Sequence, residues 1–422
     1  MTVSGFKRYM CQGHGRCYTH LRDSKNIAKY KKVVLWGCLN DMTYDIQVEG
    51  TRAAYVYSLT KFFSDKDYFL VPIIKKLDNL KKSKYVYNEL AYLSDLLTLF
   101  ALEGSREALD ALVRKRAEYF EAIIAKRSFR GYDYLRDQYE WICVSMLDIV
   151  DPLEIISELG HLFIENKHYN ADEFDWLCFR LGEYYGKSRL KSLLKKKAKG
   201  NAHIAAFYDS YLVNDVPMPV HEKTRKKLSD VEVEDLADRF LAETDSNKKA
   251  DILFSITFKR IIPPRIHNHV IECTRSDDFQ LSENAFYALT YCQSDAVHDF
   301  ALSILDGERK TEAIEMLLMN YRPEDDERLF DEIQSYKIDY KSDYDWHSVV
   351  SKINIATTNG VRLPKKYLMH VYNNTLCSYC RCNAVEALGK KRWLTDEIKD
   401  ECRYDTNDDI VKYINRYHKK QI

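Results

Sequence analysis

Asn284-Ala285-Phe286-Tyr287-Ala288-Leu289 and Asn383-Ala384-Val385-Glu386-Ala387-Leu388 share one pattern: an asparagine, then two alanines three residues apart, then a leucine. On a helix that spacing sets both alanines on one face. Two helices approach to about 8–10 Å only where small side chains line the contact. Each alanine pair therefore reads as the face on which one helix meets another. The same reading extends outward along the chain. Ala250 stands 35 residues before Ala285, and Ala313, in Ala313-Ile314-Glu315-Met316-Leu317, stands 28 after it. Gly15-Arg16-Cys17 and Thr51-Arg52-Ala53 open comparable helices 36 residues apart, followed by amphipathic stretches at Tyr30–Leu39 and Tyr68–Leu77. The unit is a helix pair of about 30–40 residues. Such a pair cannot bury its apolar face alone, so the stack of pairs is the core.

Helical periodicity dominates the rest. Tyr92–Leu102 places Leu93, Leu96, Leu97, Phe100 and Ala101 on one stripe, and Asp172–Tyr185 does so with Phe174, Leu177, Cys178, Leu181 and Tyr185. Ser282-Glu283, Ser294-Asp295 and Asp151-Pro152 with Glu154 are helix-start signatures. The β-branched run Ile353–Thr358 reads as a break between helices, and no convincing strand is found. With 14 glycines and 8 prolines in 422 residues, about 5% against a usual ~12%, the chain lacks the turn residues of an all-β fold. Apolar residues at 45% are enough for a core.

The stretch Cys382-Asn383-Ala384-Val385-Glu386-Ala387-Leu388-Gly389, a turn, and Asn407-Asp408-Asp409-Ile410-Val411-Lys412-Tyr413-Ile414 resembles a HEAT repeat. The resemblance covers the last 42 or so residues well, extends loosely to 250–335 and weakly elsewhere. It implies an all-α, right-handed α-solenoid of HEAT-like helical hairpins. It also implies an interaction scaffold, with nucleic-acid binders, including HEAT-like alkylation-repair DNA glycosylases, as the other branch. Val216-Pro217-Met218-Pro219 cannot continue a helix. The expected organisation is therefore an N-terminal half at 1–213, a joint at 214–228 and a C-terminal half at 229–422.

Lys plus Arg and Asp plus Glu number 64 each. The zero balance hides a split, since residues 1–227 carry 37 basic and 29 acidic side chains and residues 228–422 carry 27 and 35. Such a split bears on partners rather than on fold. Eleven cysteines lie scattered, many within apolar helical stretches, as buried thiols do. Met1–Arg22 has no apolar core of a secretory leader, and no run of about 18 apolar residues exists. A cytoplasmic protein without membrane contact is expected.

Gly182-Glu183-Tyr184-Tyr185-Gly186-Lys187-Ser188 imitates a phosphate loop but has three residues between its glycines where four are needed, and it follows a helix. A helix end with a left-handed glycine explains it. Cys11, His14, Cys17 and His20 offer zinc-ligand types, yet drift around a continuous helix. Cys377, Cys380 and Cys382 form C-x-x-C-x-C with only Cys402 to follow, and His267, His269, Glu272 and Cys273 lie close along another helix; packing is the expected role of all three groups. Neither metal nor cofactor is expected. Asp41, Asp45, Gln47, Glu49 and Arg52 make a polar turn, and Arg16 and Arg52 are expected to stack through bonds to such turn carboxylates.

Two features bear on partners. Tyr132, Tyr134 and Trp141, with Arg136 and Asp137 among them, suit an aromatic groove. Lys187, Arg189, Lys191, Lys195, Lys196, Lys197 and Lys199 form a basic run suited to anions, although an outward, solvated face is the expected placement. With no complete catalytic or metal motif and 31 tyrosines, a residue enriched at interfaces, the expected function is a non-enzymatic scaffold holding a protein partner. The alternative is a nucleic-acid binder of the HEAT-like glycosylase kind, with Trp141, Asp137 and Arg136 as its trio. A far-ultraviolet circular dichroism spectrum dominated by α-helix is the expected outcome; a sheet-dominated spectrum excludes the whole reading.

Overall fold

The structure is a computed structural model and describes residues 1–81, 86–125, 134–166, 168–213, 229–258, 262–336 and 344–419. Helix is their regular structure, and no strand occurs among them. The chain divides into two compact units: Met1–Val220 with Asp400–Thr406, and His221–Lys399 with Asn407–Ile422. The proline-rich joint expected at 214–228 lies outside the described residues.

The first unit holds α1 (Val3–Cys11), α2 (Arg16–Asp23), α3 (Lys31–Cys38), α4 (Ile46–Glu49), α5 (Ala53–Thr60), α6 (Asp67–Asp78), α7 (Tyr87–Leu102), α8 (Arg106–Ala125), α9 (Tyr134–Met146), α10 (Pro152–Glu165), α11 (Asp175–Tyr185), α12 (Lys187–Lys197) and α13 (Ala202–Val213). Helices pack on near neighbours in sequence: α7 on α8 and α9, α9 on α11, α11 on α12. One apolar cluster runs from Phe6 to Tyr211. The second unit holds α14 (Asp230–Ala242), α15 (Ser246–Thr257), α16 (His267–Cys273), α17 (Phe279–Leu289), α18 (Asp295–Ile304), α19 (Lys310–Met319), α20 (Asp326–Gln334), α21 (Tyr344–Thr358), α22 (Lys365–Asn374), α23 (Ser378–Lys390) and α25 (Asp408–Lys419). The intervening α24 (Asp396–Cys402) contributes its end to the first unit. Here α15 meets α17, α17 meets α19, α19 meets α21, and α21 meets α23.

Side-chain bonds between helix pairs recur at a nearly fixed sequence separation. In the first unit Lys31 pairs with Asp65 at 3.0 Å, Arg114 with Asp78 at 3.3 Å, and Arg136 with Glu173, separations of 34, 36 and 37 residues. In the second unit Arg309 pairs with Glu283, Arg322 with Asp295 at 2.6 Å and His298 with Asp325 at 2.7 Å, separations of 26, 27 and 27. Asn320 Nδ2 donates to the Cys292 carbonyl at 2.9 Å, and Asn284 Nδ2, from the motif that opened the sequence reading, donates to the Ala250 carbonyl at 3.0 Å. Ala250, Ala285, Ala288, Ala313 and Ala384 are buried. The exposed ion pairs among these contribute little. The buried asparagine bonds matter more, because an unpaired carbonyl there costs about 1–3 kcal/mol.

Local signals place the helix starts. Asp151 caps α10 through Leu153 N with Pro152 at the first position, and Ser294 caps α18 through Val297 N. Ser282 is not a start. Asp278, four residues earlier, caps α17 through Leu281 N, leaving Ser282 inside the helix with its hydroxyl on the Thr274 carbonyl. Ile353–Thr358 is not a break either; it is the last part of α21, where Ile353 and Ala356 are buried and packing overrides β-branched propensity. Gly186 takes φ +80° between α11 and α12, a helix end rather than a phosphate loop.

Gly160 sets how closely α10 lies on α13. A Cβ there would stand 1.7 Å from the His203 carbonyl oxygen, whereas one on Gly200 would meet nothing within 4 Å. Gly160→Ala is expected to destabilise the protein by about 1–3 kcal/mol in urea unfolding, and Gly200→Ala to change it by less than about 0.5 kcal/mol.

Candidate functional site: an acidic aromatic cleft

Three helices of the first unit, α7, α9 and α11, meet around a cleft of about 480 Å³. Tyr87 comes from the first turn of α7. Arg136, Asp137, Glu140 and Trp141 come from one face of α9. Asp172, Glu173, Asp175 and Trp176 come from the 3₁₀ turn Ala171–Phe174 and the start of α11. The acids at the last position have a local cause. Asn170 caps the 3₁₀ turn through Asp172 N, and carboxylates favour the positive end of a helix. Trp176 falls off the apolar stripe of α11, so it stays 41% exposed while Leu177 and Cys178 are buried.

Two interactions set the electrostatics. Arg136 donates Nε and Nη2 to Asp137 Oδ1 at 2.9 and 2.7 Å, and Nη1 to Glu173. Its charge is thus held between two carboxylates. Glu140 is buried and its Oε1 accepts from Leu177 N at 2.8 Å, capping α11 from a neighbouring helix. Burial, with Asp175 and Asp137 adding to it, pushes the Glu140 carboxyl up to about 7 against the pull of the Leu177 amide and Arg136. Overall five carboxylates face one guanidinium. The rings are ordered: Tyr87 meets Trp141 edge-on at 5.7 Å, and Trp176 stacks on Phe179 at 5.7 Å.

Of the residues expected in an aromatic groove, Arg136, Asp137 and Trp141 come together here. Tyr134 is half-buried against the core and does not line the cleft, and Tyr132 lies outside the described residues. A glycosylase-like trio needs a basic groove, and the surroundings of this one are acidic. Glu140, Glu173 and Trp176 escaped the sequence reading. The signal was present in Trp176, which with Phe179 and Tyr184 stands off the apolar stripe of its helix.

The remaining candidates are placed as follows. Arg52 is buried and pairs with Glu49 at 2.7 Å while donating Nη1 to the Cys11 carbonyl, which links two successive turns. Asp45 caps α4 through Gln47 N at 3.0 Å. Arg16 takes a carboxylate far along the chain, donating Nε to Glu401 Oε1 at 2.6 Å, with Tyr9 OH also at 2.6 Å from Nη1. Arg52 thus holds a carboxylate of its own turn, and Arg16 holds one far along the chain. Lys187, Arg189, Lys195, Lys196, Lys197 and Lys199 are exposed, and Lys191 is half-buried, around a buried seam of Leu190 and Leu194. Lys196 and Lys197 line a second, open cleft of about 890 Å³, where Asp151, Glu154 and Glu158 offer the opposite charge and the His161 and His203 rings stack at 4.8 Å.

Cys11, His14, Cys17 and His20 do not converge. Cys17 Sγ donates to the Phe6 carbonyl, His14 Nδ1 accepts from Arg16 N, and His20 Nε2 lies 2.8 Å from Tyr30 OH. His267 engages Ser294 and the Ile262 carbonyl. Cys377 and Cys380 do converge, with His347 rather than with Cys382. Among the described residues no helix is long and apolar enough to cross a membrane. No known protein family matches the chain, and no curated protein is significantly similar to it.

Glu140 gives the cleft a pH signature. Its folded pKa of about 7 stands above the usual 4.5, so between those values the native state binds the extra proton and stability falls as pH rises. Glu140→Gln keeps an oxygen for Leu177 N and removes that slope. The variant should gain on the order of 3 kcal/mol over the wild type between pH 4.5 and 8, read by urea unfolding at each pH. A constant difference across that range would place the Glu140 carboxyl at its ordinary pKa.

Proposed function

We propose that the protein is a binding module, a HEAT-like right-handed solenoid without catalytic function, whose acidic aromatic cleft receives a cationic side chain of a partner protein. The observation that carries this reading is the cleft itself: five acidic side chains, four of them besides Glu140, and two tryptophans beside one arginine already clamped by Asp137 and Glu173. A guanidinium or ammonium entering it gains ion pairs in a partly water-excluded site and an aromatic face. A phosphate backbone would meet like charge. A second reading, nucleic-acid binding on α12, is favoured by its row of exposed cations. Against it, Lys196 and Lys197 share their cleft with three carboxylates.

A fluorescent peptide carrying arginines in a neutral background serves as probe. Trp176→Ala and Asp175→Asn are each expected to weaken its binding roughly tenfold, and added salt to weaken the wild type. Peptide binding indifferent to both substitutions overturns the proposal. Micromolar duplex-DNA binding at physiological salt, abolished when Lys191, Lys195, Lys196 and Lys197 are changed to Glu, replaces it with the second reading.

A further inference from the structure

The start of α23 brings two thiols and an imidazole to one point. Cys377 is the N-cap of α23, and its sulfur accepts from Cys380 N at 3.5 Å. Cys380 lies one turn on, so its sulfur returns to the same side. His347 reaches over from α21, with Nε2 3.4 Å from Cys380 Sγ. All three ligand atoms lie within 4.8 Å of one another.

The surrounding frame holds this arrangement. Asn354 Nδ2, on α21, donates to the Cys380 carbonyl at 3.0 Å and ties the two helices at the level of the cluster. Thr375 Oγ1 accepts from Cys377 N at 3.2 Å and donates to its carbonyl at 3.4 Å. Arg381, fully buried, donates Nη1 to the Thr375 carbonyl. Both sulfurs are therefore carried on backbone that is pinned from outside the helix. Both cysteines are buried and His347 is half-buried, which leaves the histidine side as the way in.

We infer that His347, Cys377 and Cys380 bind a zinc ion. Zn–S bonds of about 2.3 Å and Zn–N bonds of about 2.0–2.1 Å in a tetrahedron set the ligand atoms roughly 3.5–3.8 Å apart. The 3.4 Å between sulfur and nitrogen is already near that edge. Two thiolates and a neutral imidazole cancel the charge of a divalent cation, so the occupied site is neutral, as a buried site requires. Sulfur and nitrogen donors in this number select zinc over magnesium or calcium, which take oxygen. Three protein ligands leave the fourth position to water. A disulfide between Cys377 and Cys380 is the competing use of the same pair, but it needs no imidazole beside Cys380.

The full-length protein, isolated without chelator, is expected to carry one zinc per chain by elemental analysis. Cobalt(II) added to the metal-stripped protein should give a sulfur-to-metal charge-transfer band and the visible bands of a tetrahedral ion. In competition with a chromophoric chelator, Cys380→Ser and His347→Ala should each weaken zinc binding roughly a hundredfold, and Cys382→Ser should not. The cobalt spectrum is read on the unmodified chain, so poor folding of a variant does not decide the outcome. Absence of the cobalt–sulfur band, zinc affinity unchanged in both ligand variants, or a Cys377–Cys380 disulfide in the freshly isolated protein would overturn the assignment.

Discussion

A pair of short helices has an apolar face and nothing within itself to cover it. Each pair here is completed by its neighbours, and the rest of the structure follows from that dependence. Alanines sit where backbones must come close, leucines and aromatics fill the layer between, and polar side chains bridge equivalent turns. The sequence separation of those bridges is nearly constant within each group of helices. It is 34 to 37 residues for the Lys31, Arg114 and Arg136 pairs and 26 to 27 for the Arg309, Arg322 and His298 pairs. The first unit is thus built from longer helix pairs than this part of the second.

Helical class was legible because it is written in spacing. Ala285 and Ala288 could be placed on a contact face from their positions alone, and both are buried. Ser282 and Ile353–Thr358 misled because local propensity lost to context: a better cap upstream in one case, burial between helices in the other. Arg16 could not be paired from sequence, since its carboxylate lies 385 residues away. The same holds for His347, which stands 33 residues before Cys380 on a helix whose own pattern gives no hint of a ligand.

The cleft shows how partial a residue-type reading is. Arg136, Asp137 and Trp141 were recognisable as a chemically interesting trio. Their electrostatic meaning depends on Glu140, Glu173 and Asp175, two of which arrive from the turn before α11 and from its first residue. A basic residue in the sequence is not a basic surface once two carboxylates hold it. Conversely, the acids that open the turn before α11 serve first to stabilise helix starts. Their collective field across the cleft comes with that placement.

The cleft is walled by residues of α7, α9 and α11. Where packing is chiefly between neighbours, a group of helices can open with limited effect on those further away, and opening proceeds in segments. Anything that grips Tyr87, Trp141 and Trp176 at once ties three such segments to a single event. Occupancy would then merge separate local openings into one cooperative unit. A lodged cation would be registered as slower amide exchange across the whole stretch from α7 to α11, including helices that it never touches.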